Sequence, residues 1–170
     1  MFKYCPNCKS ENISFDKLNK YSCNFCGWTY YKNVAAAVMV LLLLNYKILF
    51  TIRAREPSKG KLDLPGGFVD RGETAEQALK REIKEELNID LSRIDYIGSA
   101  VNEYPYKGIT YNTCDLIFWA KIEEEPKVIR NSEIEGYVLK NIDTINSKDL
   151  AFKSVEKAIQ LFKQKGKMDA

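Results

Sequence analysis

GFVDRGETAEQALKREIKEELNI, residues Gly67–Ile89, is the stretch on which the reading of this 170-residue chain turns. Wound at about 3.6 residues per turn, Thr74 to Leu87 brings Glu82, Glu85 and Glu86 beside Ala75, Ala78 and Leu79. That stripe should face the protein. Like charges at i, i+3 and i+4 repel one another, and partial burial adds a desolvation cost unless a cation neutralises them. The cation that suits such oxygens is divalent and hard. Mg²⁺ or Mn²⁺ binds carboxylates and keeps some of its water, leaving coordination positions for phosphate oxygens.

Upstream, Leu64-Pro65-Gly66-Gly67 ends an apolar segment in two glycines that let the backbone turn sharply and approach a ligand closely. Thr74 is the expected helix cap, with Gln77 three residues on as in a capping box. Gly67, Glu73 and the run Arg81-Glu82-Ile83-Lys84-Glu85-Glu86-Leu87-Asn88-Ile89 together resemble the Nudix box. Asn88 stands where that family usually has glycine. Asparagine is the next-best residue for a left-handed helix exit, so the turn should survive.

The resemblance implies a hydrolase that cleaves a diphosphate linked to a nucleoside or similar group by attack of water on phosphorus. It implies the α/β/α sandwich of Nudix domains with a mixed sheet, over residues 33–170. By the same resemblance Glu82 and Glu86 would be the main metal ligands. Glu85 and Glu73 would complete or orient the site and help to activate water, which makes Glu73, Arg81, Glu82, Glu85 and Glu86 the expected catalytic set. Arg81 lies one turn from Glu85 and is expected to pair with it.

A second signal lies in residues 1–32, where Cys5-Pro6-Asn7-Cys8 and Cys23-Asn24-Phe25-Cys26-Gly27 form two Cys-x-x-Cys hooks. Four thiolates at that spacing read as a tetrahedral, structural Zn²⁺ site. So short a segment cannot bury enough apolar surface to fold alone, so the metal should supply much of its folding energy. Two disulfides or a redox pair are the competing readings. No secretory segment precedes Cys5, and a duplicated redox motif in a ribbon-sized stretch would be odd, which also points to a cytoplasmic protein. Lys3, Lys9, Lys17, Lys20 and Lys32 give the ribbon a basic cast. A solvated surface on a module packed against the catalytic domain, or against the partner in a homodimer, is favoured over nucleic-acid binding.

A ribbon ahead of a Nudix box resembles the NADH pyrophosphatase branch of the family. That branch carries a Ser-Gln-Pro-Trp-Pro-Phe-Pro segment after the box, whereas this chain reads Asn102-Glu103-Tyr104-Pro105-Tyr106-Lys107-Gly108, so NADH specificity is not carried over. The formal charge of +3 does not argue for a polyanion partner. Val34 to Leu44, the most apolar run, is far shorter than the roughly 20 residues of a spanning helix and reads as a buried strand. No membrane association is expected.

Lys47 to Ala54, Leu62 to Leu64, Ile94 to Val101, Thr110 to Ile122 and Tyr137 to Leu139 read as further strands, with Glu123 to Lys127 a charged turn. Val155, Ile159 and Phe162 predict an amphipathic helix over Asp149 to Lys163. Arg53 and Arg55, at alternate strand positions, share a face and are candidates for phosphate contact, with Gly66 and Gly67 nearby. Tyr104, Tyr106, Tyr111 and Trp119 offer rings for a base, although aromatics in strands usually serve the core. Glu133 is a candidate extra acid, and Cys114 is assigned to packing. The alternative to an enzyme is a non-catalytic nucleotide-sensing Nudix domain with a ribbon that binds nucleic acid or protein; such sensors commonly lose box glutamates, and here all are present.

Overall fold

The computed structural model describes residues 2–126 and 133–166, and divides the chain into two compact units, Met1–Val34 and Ala35–Ala170. The Lys127 end of the expected charged turn lies outside the described residues. In the first unit β1 (Ile13–Phe15), β2 (Lys20–Cys23) and β3 (Thr29–Tyr31) form an antiparallel sheet. Each cysteine hook closes on a matching hydrogen bond. The Lys9 amide donates to the Cys5 carbonyl at 2.9 Å, and the Gly27 amide donates to that of Cys23 at 3.0 Å. Both donors have positive φ, at 63° and 75°. Glycine takes that conformation without strain at Gly27; Lys9 adopts it at the strain cost a side chain brings there.

Phe2, Tyr21, Trp28 and Tyr30 form an edge-to-face cluster, yet only Cys5, Tyr21 and Cys23 among this unit's described residues are buried hydrophobics. Apolar burial on that scale is too small to hold a fold, so the cysteine cluster has to contribute.

The second unit is built on β4 (Ala35–Leu44), β5 (Lys47–Arg53), β8 (Asp95–Tyr106), β9 (Ile109–Lys121) and β10 (Ile134–Lys140). Their order is β10-β5-β4-β9-β8, with β6 (Leu62–Asp63) on β5 and β7 (Gly66–Phe68) on β4. The β4–β9 pairing is parallel and the others antiparallel, so the sheet is mixed. The run from Val38 to Leu44 is apolar at every position because both faces of β4 are covered. Val38, Val40 and Leu42 pack on Ala78, Leu79, Ile83 and Leu87 of α1 (Ala75–Leu87), while Met39 and Leu41 pack on Val155, Ala158 and Ile159 of α2 (Lys153–Gly166). The result is the α/β/α sandwich that the resemblance implies.

The ends of α1 match expectation in detail. Thr74 accepts from the Gln77 amide at 3.3 Å, and the Gln77 side chain accepts from the Thr74 amide at 2.8 Å, closing the capping box. Asn88 exits in the left-handed region, at φ 54° and ψ 34°.

Other elements depart from expectation. Gly66 and Gly67 are not only a turn but the start of β7, paired with Met39 and Val38. Asn102 to Tyr106 continues β8, so the β8–β9 hairpin closes at Lys107-Gly108. The last helix starts at Lys153, after a 3-10 turn at Ser147–Asp149. Asn146 caps that turn by accepting from the Lys148 amide, a local contact that competes with helix. Among the described residues no helix is long and apolar enough to cross a membrane.

Candidate functional site

Beside the glycine strand opens a cavity of about 490 Å³, lined by residues of the second unit. β7 and α1 supply one wall. Adding a Cβ at Gly66 would drive it into the Val38 carbonyl and within 2.9 Å of Met39 Cα; φ there is +147°. Only glycine lets β7 lie that close to β4. At Gly67 the obstruction is Glu82, whose carboxyl carbon would sit 2.5 Å from an added Cβ. The close approach expected of these glycines is therefore made to the protein's own strand and carboxylate.

Arg81 organises the wall. Its Nε and Nη2 donate to the two Glu73 oxygens at 2.8 and 3.0 Å, Nη1 donates to Glu82 Oε1 at 2.8 Å, and Nη2 also reaches the Phe68 carbonyl at 3.1 Å. The expected Arg81–Glu85 pair is a looser contact of 3.6 Å, and Glu85 is 60% exposed. The reason is geometric: a guanidinium fork saturates first on a bidentate carboxylate and on the residue beside it. Arg81 consequently holds the Glu73 carboxyl below its ordinary value, and is itself held more firmly protonated.

Glu86 and Glu82 are the inward carboxylates, with Glu86 8% exposed and the Glu82 side chain 17% exposed. Burial raises Glu86 well above its ordinary value, with the neighbouring Glu82 charge adding to the rise and the Gly66 amide, 3.1 Å from Oε2, opposing it. Burial also raises Glu82, against the pull of Arg81. Of the expected stripe, then, Glu82 and Glu86 face inward and Glu85 lies at the rim.

Arg53 and Arg55 do line the cavity, but not as two residues on one strand face. β5 ends at Arg53, whose Nη1 binds Asp63 at 2.8 Å and whose Nε donates to the Pro57 carbonyl at 2.7 Å. Arg55 lies beyond the strand and binds Glu133 at 2.5 Å. Both guanidinium groups are already engaged by carboxylates. Glu133 also reaches the cavity, where its charge acts on Glu82 and Glu86. Tyr104 is in the wall beside Phe152, whereas Trp119 packs on Phe162 in the core behind the sheet.

Sequence reasoning passed over Asp63, Thr113, Asp115 and Ser154, all of which line the cavity. A signal existed for two of them. Thr113 and Asp115 are polar residues at alternate positions of an expected strand, and an inward polar pair in a strand calls for a partner.

Seven carboxylates face only three guanidinium groups among the described lining residues, so the cavity is strongly negative. Such a pocket repels phosphate unless hard cations are bound first, and its oxygen donors are of the type Mg²⁺ and Mn²⁺ take. In the other unit Cys5 Sγ lies 3.7 Å from Cys26 Sγ, and Cys8 Sγ 3.7 Å from Cys23 Sγ. A ZnS₄ tetrahedron with bonds of about 2.3 Å has edges of about 3.8 Å, so the four thiols fit zinc. Among the described residues these cysteines are the group of three or more ligating side chains whose donor atoms converge so tightly.

Residues 33–162 match the NUDIX domain family model. The chain belongs to the NUDIX domain family. The chain is similar to a NUDIX hydrolase from Nitrosomonas europaea, at 26% identity and TM-score 0.68, covering 93% of this chain and 88% of that one. A MutT NUDIX hydrolase from Burkholderia pseudomallei is similar over 76% of this chain and 98% of its own, at 25% identity and TM-score 0.65. Among curated relatives, the NAD-capped RNA hydrolase NudC of Vibrio atlanticus is 27% identical over 169 residues, covering 91% of this chain and 62% of the relative. NudC of Haemophilus influenzae is 28% identical over 134 residues, which are 78% of this chain and 48% of that relative. This Nudix chain thus spans less than two thirds of the length of both relatives.

Proposed function

We propose that this Nudix chain is a metal-dependent pyrophosphohydrolase, cleaving the diphosphate of a nucleoside-diphosphate-linked substrate of the ADP-ribose or NADH-like class. The observation that carries the reading is the strongly negative cavity with Glu86 buried and Glu82 half-buried in it, an arrangement that costs folding energy and repels the substrate unless divalent cations are held there. Mg²⁺ or Mn²⁺, when bound, supplies positive charge against the nonbridging phosphate oxygens and acidifies water.

The chain's own residues have separable tasks in this proposal. Glu82 and Glu86 hold the cation. Glu85, at the rim and exposed, is free to complete the ligand set or accept a proton from water. Arg81 is a positioning residue: its fork ties Glu82 to Glu73 and to the Phe68 carbonyl, so the helix carboxylates and the glycine strand keep one geometry. Glu73 acts through that same fork. Arg53 and Arg55 become phosphate contacts only by exchanging their Asp63 and Glu133 partners. The ribbon, residues 1–32, would bind one structural Zn²⁺ through Cys5, Cys8, Cys23 and Cys26, and residues 33–170 would form the hydrolase domain. A cytoplasmic location stays part of the proposal, and nucleic-acid binding by the ribbon is not favoured.

The test is product release from ADP-ribose, NADH, dinucleoside polyphosphates and oxidised nucleotides, with and without Mg²⁺, in ¹⁸O water. Expected is Mg²⁺-dependent release of a nucleoside monophosphate carrying ¹⁸O on phosphorus. Tight binding of these ligands with no turnover anywhere in the panel would instead favour a nucleotide sensor.

A further inference from the structure

We infer that the α2 side of the cavity is a nucleobase subsite selecting a base with an exocyclic amine, which Asp115 accepts. The inference deepens the hydrolase reading and rests on it, because the nucleoside of the proposed substrate must lie in the same cavity as its diphosphate. The box residues leave this end unused.

Asp115 is 2% exposed, yet it lines the cavity and accepts from Thr113 Oγ1 at 2.5 Å. Its cross-strand neighbours are Ala37 on β4 and Ala100 on β8, so short side chains flank it on both sides. An ionised carboxylate offers about four acceptor positions and no donor. A hydroxyl satisfies one of them, and a buried acid keeps seeking further donors. An amine supplies N–H; a base carbonyl at the same place meets like partial charge.

A second observation is independent of the acid. Ser154, at the start of α2, lines the same cavity, is 0% exposed, and its Oγ has no hydrogen-bond partner among the described residues. A buried hydroxyl without a partner is costly in a finished core but is what a ligand contact looks like before the ligand arrives. It can donate to a ring nitrogen beside the amine. Tyr104 and Phe152 supply aromatic surface for such a base, with ring centroids 5.8 Å apart and planes tilted by 46°, and the Arg53 guanidinium lies 5.0 Å from the Phe152 centroid.

Calorimetric titration with AMP and IMP in the presence of Mg²⁺ tests this, since monophosphates bind without turnover. AMP should bind at least about tenfold more tightly than IMP, which carries a carbonyl where adenine carries its amine. Asp115→Asn should abolish the preference, and Ser154→Ala should weaken AMP several-fold. Equal affinities for AMP and IMP in the unaltered protein overturn the subsite. So does an Asp115→Asn protein that melts normally and keeps the preference; if that variant does not fold, Ser154→Ala and the unaltered protein decide, and unchanged AMP affinity in Ser154→Ala overturns it. Hydrolysis of diphosphates without any nucleotide preference would sink the subsite and leave the hydrolase standing, whereas preference without hydrolysis would do the reverse.

Discussion

Gly67→Ala adds one methyl group where the chain can least accept it. The new Cβ would lie 2.5 Å from the Glu82 carboxyl carbon and 2.8 Å from Oε2, whereas ordinary contact begins near 3.4 Å. The carboxylate must therefore withdraw by at least about 0.9 Å, the difference between 3.4 and 2.5 Å, since Oε1 lies closer still than the carboxyl carbon. It cannot do so freely, because Arg81 Nη1 holds Oε1 at 2.8 Å. Misplacing a reacting or ligating group by about 1 Å can cost about 10²-fold in rate, or about 2.7 kcal/mol of transition-state stabilisation. Stability should change far less, since the obstruction is a side-chain end and not backbone. The assay is kcat for the best substrate of the panel beside a thermal melt, with Gly136→Ala as control, where an added Cβ meets nothing within 4 Å. Turnover within threefold of the unaltered protein would refute the claim that Gly67 exists to seat Glu82.

Glu86→Gln should depress turnover by orders of magnitude while leaving the fold intact, and near-normal turnover would remove Glu86 from the ligand set. Metal-free stability should fall with rising pH. Glu86 and Glu82 bind protons more tightly folded than unfolded, so the stability they contribute is complete below the ordinary value of 4.5 and is lost as pH rises through their raised folded values. Denaturant melts in chelator between pH 5 and pH 8 should show this, and Glu86→Gln should flatten the slope; an upward slope would contradict the burial argument. Arg81→Lys should lower kcat by about 10- to 100-fold with substrate KM little changed, because an ammonium cannot span Glu73 and Glu82 together. Zinc analysis of reduced protein should give one ion per chain, with chelation erasing the ribbon's NMR signals and leaving those of the Nudix unit; a ribbon spectrum unmoved by zinc removal would refute the structural role.

Much of this was legible in the sequence because the physics is local. Thr74, Gln77 and Asn88 mark the ends of α1 through contacts within four residues, and the unbroken apolar run from Val38 to Leu44 reports two covered faces directly. Cys-x-x-Cys hooks likewise state their geometry in their spacing. Pairings distant in sequence were not legible. Nothing local tells Arg53 that Asp63 will be its partner, or tells Arg81 to prefer Glu73, eight residues away, over Glu85 one turn along. The polar end of the cavity was missed for the same reason. Asp115, Thr113 and Ser154 come together only when β9 pairs with β4 and α2 folds back across the sheet. Helix onset at α2 failed by a few residues because Asn146 diverts the chain into a 3-10 turn first.

The most direct test of the central claim is anomalous diffraction at the manganese edge from crystals soaked in Mn²⁺. The account predicts a peak within coordination distance, about 2.2 Å, of both Glu82 and Glu86 carboxylates, lost in Glu86→Gln. Crystals that diffract well, bind manganese elsewhere and show no peak between those two side chains would contradict it.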